Sequence, residues 1–204
     1  MIEVFHIAPG RSIRVLWLLE EIGAPYRIER LAVPIRERSP EYLALNPAGL
    51  FPTVIDGGEI LVESLSICDH LARRHGGEIL VRDPGGADYR AYFQWMLFGD
   101  ATLGVPLVNI MRYGPRQPEE RRIPQVVVDA EIAFSHRLTA LERRLETSMY
   151  VTSDQFTLAD ISVGYTIWLS ASFFGLERYF GPCTAAYLDR LLARAPLQRA
   201  LAKE

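Results

Sequence analysis

Residues 46–64, NPAGLFPTVIDGGEILVES, decide the fold of the first part of the chain. Two short apolar runs flank Asp56-Gly57-Gly58, and a turn of this kind between apolar runs is a strong hairpin signal. Ser64 follows the second run and precedes a helical pattern over residues 65–75, so it is a favourable N-cap residue. The stretch therefore predicts two antiparallel strands that lead directly into a helix.

The residues before this stretch predict a strand–helix–strand unit. Residues 3–7 form a short apolar run, and residues 12–22 have helical spacing that ends at Gly23, a favourable residue for a helix C-terminus. Residues 25–31 alternate, which predicts a second strand parallel to the first because a helix joins them. With a short helix predicted from Pro40, the order is β-α-β-α-β-β-α, and we expect a four-stranded mixed sheet.

The second part of the chain has helical patterns only. It follows a linker rich in Pro, Gly and Asp over residues 79–88. The predicted helices span residues 89–102, 119–148, 158–172 and 184–195, with a short tail after Pro196. The sequence thus predicts an α/β domain over residues 1–78 and an all-helical domain over residues 89–204.

Composition narrows the possible partners and compartment. The net charge of −3 and the pI of about 5.9 give no basic surface for nucleic acid. No apolar stretch approaches the ~18 residues of a membrane span, and the N-terminus lacks the pattern of a signal peptide. Cys68 and Cys183 are far apart and have no metal-ligand spacing, so we expect reduced thiols rather than a disulfide or a metal site. These features predict a cytoplasmic protein without nucleic-acid, membrane or metal partners.

Four segments, in this order, resemble the soluble glutathione transferase family, of bacterial type. They are RVLWLLEEIGAPY (14–26), the stretch at 46–64, the helix that follows it, and FTLADI (156–161). The resemblance covers nearly the whole chain and implies a thioredoxin-like domain followed by a helical bundle. FTLADI contains the Thr-x-x-Asp pattern of a capping box, for which we expect a structural role only.

The resemblance implies that Phe51, Pro52, Glu63 and Ser64 bind glutathione. Pro52 would follow a cis peptide bond that turns the backbone groups of Phe51 outward, where an extended tripeptide could pair with them. The hydroxyl and N–H of Ser64 would bind the γ-glutamyl carboxylate at a helix N-terminus. Glu63 would accept hydrogen bonds from the ammonium group of the same γ-glutamyl moiety.

Two positions at this site depart from the family pattern. Leu50, assigned to the glutathione site by its place beside Phe51, stands where relatives often have a lysine for the glycyl carboxylate. Arg11 or Arg36 could supply that charge instead. Gly10 stands four residues before Arg14, where relatives usually present a hydroxyl.

The thiol of glutathione must be ionised to react, because a free thiol has a pKa near ~8.5. Ser12 is the first candidate for stabilising the thiolate, although it could be a plain N-cap of the helix. His6 is the second candidate, and backbone donors of the loop before the helix are the third. Catalysis by a dithiol is disfavoured because residues 9–12 contain no cysteine.

The electrophile would need an apolar pocket. The resemblance implies that the first loop and the helical domain line it, with candidates Pro9, Gly10, Phe98, Asp100, Leu103 and Tyr113. An aromatic stripe at helical spacing is more often core, so we expect only a subset to face a pocket.

The function predicted from the sequence is that of a glutathione transferase. It would use glutathione as co-substrate and transfer an alkyl or aryl group from a small electrophile to the glutathione sulfur, in detoxification. The resemblance also implies a homodimer. One alternative is a binding or interaction module of the same fold with little turnover. Another is a glutathione-dependent isomerase, dehalogenase or peroxidase.

Overall fold

The computed structural model describes residues 1–203, which divide into two units. The first unit runs from Met1 to Val81 and also includes residues 192–203. The second unit runs from Arg82 to Leu191. The first boundary falls inside the predicted linker. The return of the chain end to the first unit is a difference from the predicted helical domain over residues 89–204.

A four-stranded mixed sheet forms the centre of the first unit, as predicted. Its strands are β1 (Ile2–His6), β2 (Tyr26–Arg30), β3 (Thr53–Asp56) and β4 (Glu59–Val62). The spatial order is β2-β1-β3-β4, with β1 and β2 parallel and the other two pairs antiparallel. Gly57 and Gly58 join β3 to β4 with φ values of 61° and 90°, the conformation that a two-residue hairpin turn requires.

The α-helices account for most of the remaining structure. In chain order they are α1 (Ser12–Ile22), α2 (Ile35–Arg38), α3 (Ser64–Arg74), α4 (Tyr89–Leu97), α5 (Gly104–Tyr113), α6 (Pro124–Leu145), α7 (Leu158–Phe174), α8 (Pro182–Leu192) and α9 (Ala195–Leu201). Short 3₁₀ turns cover Pro40–Ala44, Glu78–Leu80, Glu119–Arg121 and Glu177–Tyr179, and a π-helical segment covers Phe98–Thr102. Helices α2, α5 and α9 are additions to the predicted set.

Helix α1 is the most deeply buried helix of the first unit. Every residue from Ser12 to Leu19 is buried, and the helix ends at Gly23 with a φ of 67°, as the sequence predicts. Helix α9 packs on α1 in place of the expected short tail. Arg194 makes two hydrogen bonds of 2.7 Å with the carboxylate of Glu21, and Arg199 contacts Glu20 at 2.6 Å. These ion pairs fix the end of the chain against the helix that also borders the candidate site.

The register of the sheet brings three chain segments to one edge. Phe5 near the end of β1 lies opposite Thr53 at the start of β3, and Thr53 lies opposite Val62 at the end of β4. The loop after β1, the Phe51–Pro52 bond before β3, and the Glu63–Ser64 junction after β4 therefore meet at this edge.

In the second unit, α4 continues into the π segment and then into α5. Gly99 packs on the backbone of α7 so closely that a Cβ there would lie 2.6 Å from the carbonyl carbon of Ser162. Two hydroxyls of α7 bond to carbonyls of this region: Ser162 to Met96 at 2.7 Å and Thr166 to Gly99 at 2.8 Å. A π segment interrupts the regular hydrogen-bond ladder of the backbone, and these hydroxyls bond to one carbonyl just before the segment and one inside it.

Helix α7 begins with the predicted capping box of Thr157 and Asp160. The Asp160 carboxylate is fully buried and accepts hydrogen bonds from the N–H of Thr157 at 2.8 Å, the N–H of Val151 at 2.9 Å and the hydroxyl of Tyr187 at 3.0 Å. Burial raises the pKa of Asp160 to about 6, although these donors act in the opposite direction. One carboxylate thus joins α7, the segment before it and α8.

The thiols and the helix lengths complete the description of the chain. Cys68 and Cys183 are both free thiols, and burial raises the pKa of Cys68 to about 12. Within residues 1–203, no helix is both long and apolar enough to cross a bilayer. The same residues contain no group of three or more His, Cys, Asp or Glu side chains placed to hold a metal ion.

Candidate functional site

The Phe51–Pro52 junction lies at the edge where the three segments meet. The peptide bond before Pro52 is cis, as the resemblance implied, and Pro52 is buried while Phe51 is partly exposed. No hydrogen bond within the described residues uses the backbone N–H or carbonyl of Phe51. An extended peptide can therefore pair with this residue as an added strand.

A buried polar cluster holds the segment in front of this junction. The carbonyl of Leu50 accepts hydrogen bonds from the Tyr42 hydroxyl at 2.6 Å and the Asn46 side-chain amide at 2.8 Å. Both groups also contact the hydroxyl of Thr53, at 2.5 Å and 3.2 Å. The side chain of Leu50 is 63% exposed and contributes no charge. The sequence patterns did not predict that Tyr42 and Asn46 hold the segment before Phe51. The one pattern that marks this region is the Asn46-Pro47 turn.

Glu63 and Ser64 form the junction between β4 and α3. Glu63 has a φ of 69° and is the single non-glycine residue with positive φ among residues 1–203. Such backbone strain at a non-glycine residue is concentrated at functional sites. The prediction that Ser64 is the N-cap is wrong, because Glu63 holds that position and Ser64 is the first helical residue. The Ser64 hydroxyl instead accepts a hydrogen bond from Nη1 of Arg14 at 3.1 Å.

Steric crowding explains the glycine at position 10. A Cβ on Gly10 would lie 2.5 Å from the carbonyl oxygen of Ile7 and would overlap the ring of Phe51. The backbone N–H of Gly10 also donates to this carbonyl at 2.7 Å. The ring of Phe51 thus occupies the space that a serine at position 10 would need, so this loop excludes the hydroxyl expected from relatives.

The structure places both predicted catalytic side chains inside the first unit. Ser12 is 0% exposed and His6 is 2% exposed, and the Ser12 Oγ lies 2.8 Å from Nδ1 of His6 and 3.3 Å from the carbonyl of Ile7. The N-cap of α1 is Arg11, so the alternative that Ser12 is a plain N-cap of the helix is wrong. Burial, with a smaller contribution from the charge of Arg30, lowers the pKa of His6. A buried hydroxyl and a buried imidazole therefore join the strand to the helix.

The two candidate cations for the glycyl carboxylate are both at the surface of the first unit. Arg11 is partly exposed at the N-cap of α1. Arg36 is exposed on α2, and its guanidinium lies 3.4 Å from the carbonyls of Pro47 and Ala48. Arg36 thereby lies over the turn that leads to Leu50.

The predicted pocket residues differ in exposure. Leu103 is 0% exposed and belongs to the core of the second unit, so the prediction that it lines a pocket is wrong. Phe98 is partly exposed, with its ring centroid 4.8 Å from that of Trp95. The remaining candidates, Pro9, Gly10, Asp100 and Tyr113, are also partly exposed.

A thioredoxin-like unit followed along the chain by a helical unit is the domain order of the glutathione transferase class. The profile "Glutathione S-transferase, N-terminal domain" matches residues 10–78. Glutathione S-transferase 4 of Zea mays is 33% identical over 155 residues, which cover 73% of this chain and 68% of the maize protein. Glutathione S-transferase 3 of Schizosaccharomyces pombe is 29% identical over 181 residues, covering 82% and 74%. The chain belongs to the glutathione S-transferase family.

A solved structure extends this likeness to the whole fold. The glutathione transferase URE2P8 of Phanerochaete chrysosporium, solved with oxidized glutathione, has a TM-score of 0.86 to this chain. Its sequence is 26% identical, and the superposition covers 99% of this chain and 94% of URE2P8. The predicted architecture of a thioredoxin-like domain followed by helices is thus confirmed.

Proposed function

We propose that the protein is a glutathione transferase that binds glutathione at the sheet edge of its first unit. The backbone of Phe51 would pair with the cysteinyl residue, Ser64 would bind the γ-glutamyl carboxylate, and Glu63 would bind the neighbouring ammonium group. The observation that carries this proposal is the register, which brings Phe51, Pro52, Glu63 and Ser64 to one edge.

The N-terminal end of α1 is the proposed source of thiolate stabilisation. It replaces Ser12 and His6, whose side chains are buried. A helix N-terminus carries partial positive charge, and Arg11 at the N-cap adds a full charge. In the reaction, the thiol releases its proton to solvent, the sulfur forms a bond to the electrophilic carbon, and the leaving group departs with its electron pair. A lower thiol pKa raises the fraction of thiolate at neutral pH.

The electrophile and its pocket remain proposals from the family resemblance. Phe98, Asp100 and Tyr113 in the second unit, and Pro9 and Gly10 in the first, are the remaining candidates. We also propose a cytoplasmic homodimer with a role in detoxification. The bacterial type of the family stays a prediction, since the relatives described above are plant and fungal proteins.

Glutathione binding and turnover test the proposal separately. Glutathione should raise the melting temperature in a concentration-dependent way, because a ligand that binds only the native state stabilises it. Steady-state assays with 1-chloro-2,4-dinitrobenzene should then show conjugation. Absence of any thermal shift at millimolar glutathione would contradict the proposed site.

A second function is favoured by two observations. Both predicted catalytic side chains are buried, and a side-chain hydroxyl at position 10 is sterically excluded. A module that binds glutathione with little turnover would have these features. Binding without conjugation across a panel of aryl halides, epoxides and peroxides would support that module over the transferase.

A further inference from the structure

A fully buried arginine lies beneath the proposed γ-glutamyl site. Arg14 is 1% exposed, although it sits in the first part of α1 among apolar neighbours such as Ile13 and Val15. Removing a guanidinium from water costs several kcal/mol unless other groups compensate for it. In the sequence, Arg14 is only one letter of RVLWLLEE, and nothing in the pattern marks it as functional.

The contact between Arg14 and Ser64 fixes the direction of one hydrogen bond. A guanidinium has donors only, so Nη1 of Arg14 donates and the Ser64 oxygen accepts, at 3.1 Å. The hydroxyl has a single proton, and no group within the described residues accepts it. Ser64 is therefore oriented as a donor, which suits an anion and not a second donor group.

Charge at this point favours the same kind of ligand. The guanidinium lies under the first turn of α3, whose N-terminus also attracts anions. Burial raises the pKa of Cys68, one turn further along α3, and the nearby charge of Arg14 opposes that rise. Hydrogen bonds also strengthen when their members are polarised by a charge in a site of low dielectric.

We propose that Arg14 is a positioning residue for the γ-glutamyl carboxylate of glutathione, acting through the hydroxyl of Ser64. This inference rests on the proposed function, because it takes glutathione as the ligand. Arg14 orients the Ser64 proton toward the carboxylate and supplies a buried positive charge behind it. Arg14 therefore contributes to recognition of one carboxylate and not of the remainder of the tripeptide.

A pair of ligands isolates this contribution. The probes are glutathione and γ-aminobutyryl-cysteinyl-glycine, which is the same tripeptide without the γ-glutamyl carboxylate. In titration calorimetry, R14M should weaken glutathione binding by about 10- to 100-fold, the range for lost hydrogen bonds to charged groups. The same variant should bind the decarboxylated probe within about twofold of the wild type. Equal weakening of both probes would show a merely structural role and overturn the inference, as would unchanged glutathione affinity in R14M.

Further variants keep the inference falsifiable if R14M folds poorly. S64A should show the same selectivity for loss of glutathione over the decarboxylated probe, and R14K, which keeps the charge, should lose less than R14M. Loss of both probes to the same degree in S64A and R14K would overturn the inference. R27M, on β2 with an exposed arginine paired to Glu3 at 2.7 Å, is the matched control and should bind both probes as the wild type does.

The outcome for the wild type separates the two proposals. A wild-type protein that binds neither probe would overturn the proposed function, and the role of Arg14 with it. A wild-type protein that binds glutathione, with R14M unselective between the probes, would leave the proposed function in place and overturn only the inference.

Discussion

At the N-terminus of α7 in the second unit, the side chain of Asp160 accepts a hydrogen bond from a backbone N–H of the helix start. At α1 and α3 in the first unit, no side chain makes a hydrogen bond at the N-cap. The first amides of any helix lack partners inside the helix. In α7 the Asp160 carboxylate occupies one of them and also bonds to Val151 and Tyr187. At α1 and α3 the N-caps are Arg11 and Glu63, both at the proposed glutathione site. The closed start of α7 thus contributes to stability, whereas the open starts of α1 and α3 lie where we propose that glutathione binds.

The largest loss of stability should come from removing the Asp160 carboxylate at the start of α7. Asp160→Ala removes the acceptor of several buried donors, and each buried donor left without a partner costs about 1–3 kcal/mol. We expect the free energy of unfolding to fall by about 3 kcal/mol or more in urea titrations. Asp129→Ala, which removes an exposed carboxylate on α6 bonded to Gln125 at 2.8 Å, is the control and should change it by less than about 0.5 kcal/mol. A similar small change for both variants would contradict the stabilising role of Asp160.

The charge of Asp160 should make the stability of the second unit depend on pH. Burial raises the pKa of this carboxyl from 3.8 to about 6, so the folded protein holds the proton more tightly than the unfolded chain. The contribution of this group to the free energy of unfolding therefore falls as the pH rises from about 4 to about 6. The shift of about two pKa units corresponds to about 3 kcal/mol. The difference in urea midpoint between wild type and the non-titrating Asp160→Asn should change over this window, and a constant difference would show that the carboxyl does not titrate there.

Local patterns predicted the parts of the fold whose signals are contained in neighbouring residues. Helix α1 begins and ends where the sequence indicates, and the Asp56-Gly57-Gly58 turn joins two strands. Two helices, α5 and α9, were not predicted because each has a proline in its first turn. Pro106 and Pro196 lie in the first turns of α5 and α9, where a missing N–H costs nothing, yet each breaks a helical pattern when the sequence is scanned.

Sequence patterns can indicate the residues of the candidate site that one motif contains, but not those whose place depends on packing across the unit. Phe51 and Pro52 both belong to the stretch at residues 46–64, and the cis bond between them was expected from the family resemblance. Arg14 contacts Ser64 across 50 positions of sequence, and Gly10 is constrained by a ring 41 residues away. Local spacing in the sequence cannot indicate contacts between residues so far apart. For the same reason it could not predict that Ser12 and His6 are buried.

A smaller loss of stability and of glutathione affinity is expected from adding a side chain at Gly10, in the loop before α1. Gly10→Ala places a Cβ against the Ile7 carbonyl and the Phe51 ring, and overpacking of this kind costs about 1–3 kcal/mol. Because the ring of Phe51 must move, we expect weaker glutathione binding in calorimetry together with a lower melting temperature. Gly85→Ala is the matched control, since a Cβ there meets no atom within 4 Å. Wild-type glutathione affinity in Gly10→Ala would contradict this prediction, because it would show that the loop and the Phe51 ring can move without weakening binding.

The smallest effect should come from His6, with a sign opposite to that of Asp160. Burial lowers the pKa of His6, so the folded protein resists protonation of this imidazole more than the unfolded chain does. Its contribution to stability is complete above the unfolded pKa of about 6.5 and is lost as the pH falls below it. Comparing Asp160→Asn with His6→Gln/Asp160→Asn from pH 7 to pH 5 removes the opposing carboxyl from the measurement. We expect the melting temperature of the histidine-containing protein to fall more steeply with acid, and parallel curves would contradict a neutral buried His6. A steeper fall would show that acid destabilises the first unit at the buried strand-to-helix contact between His6 and Ser12.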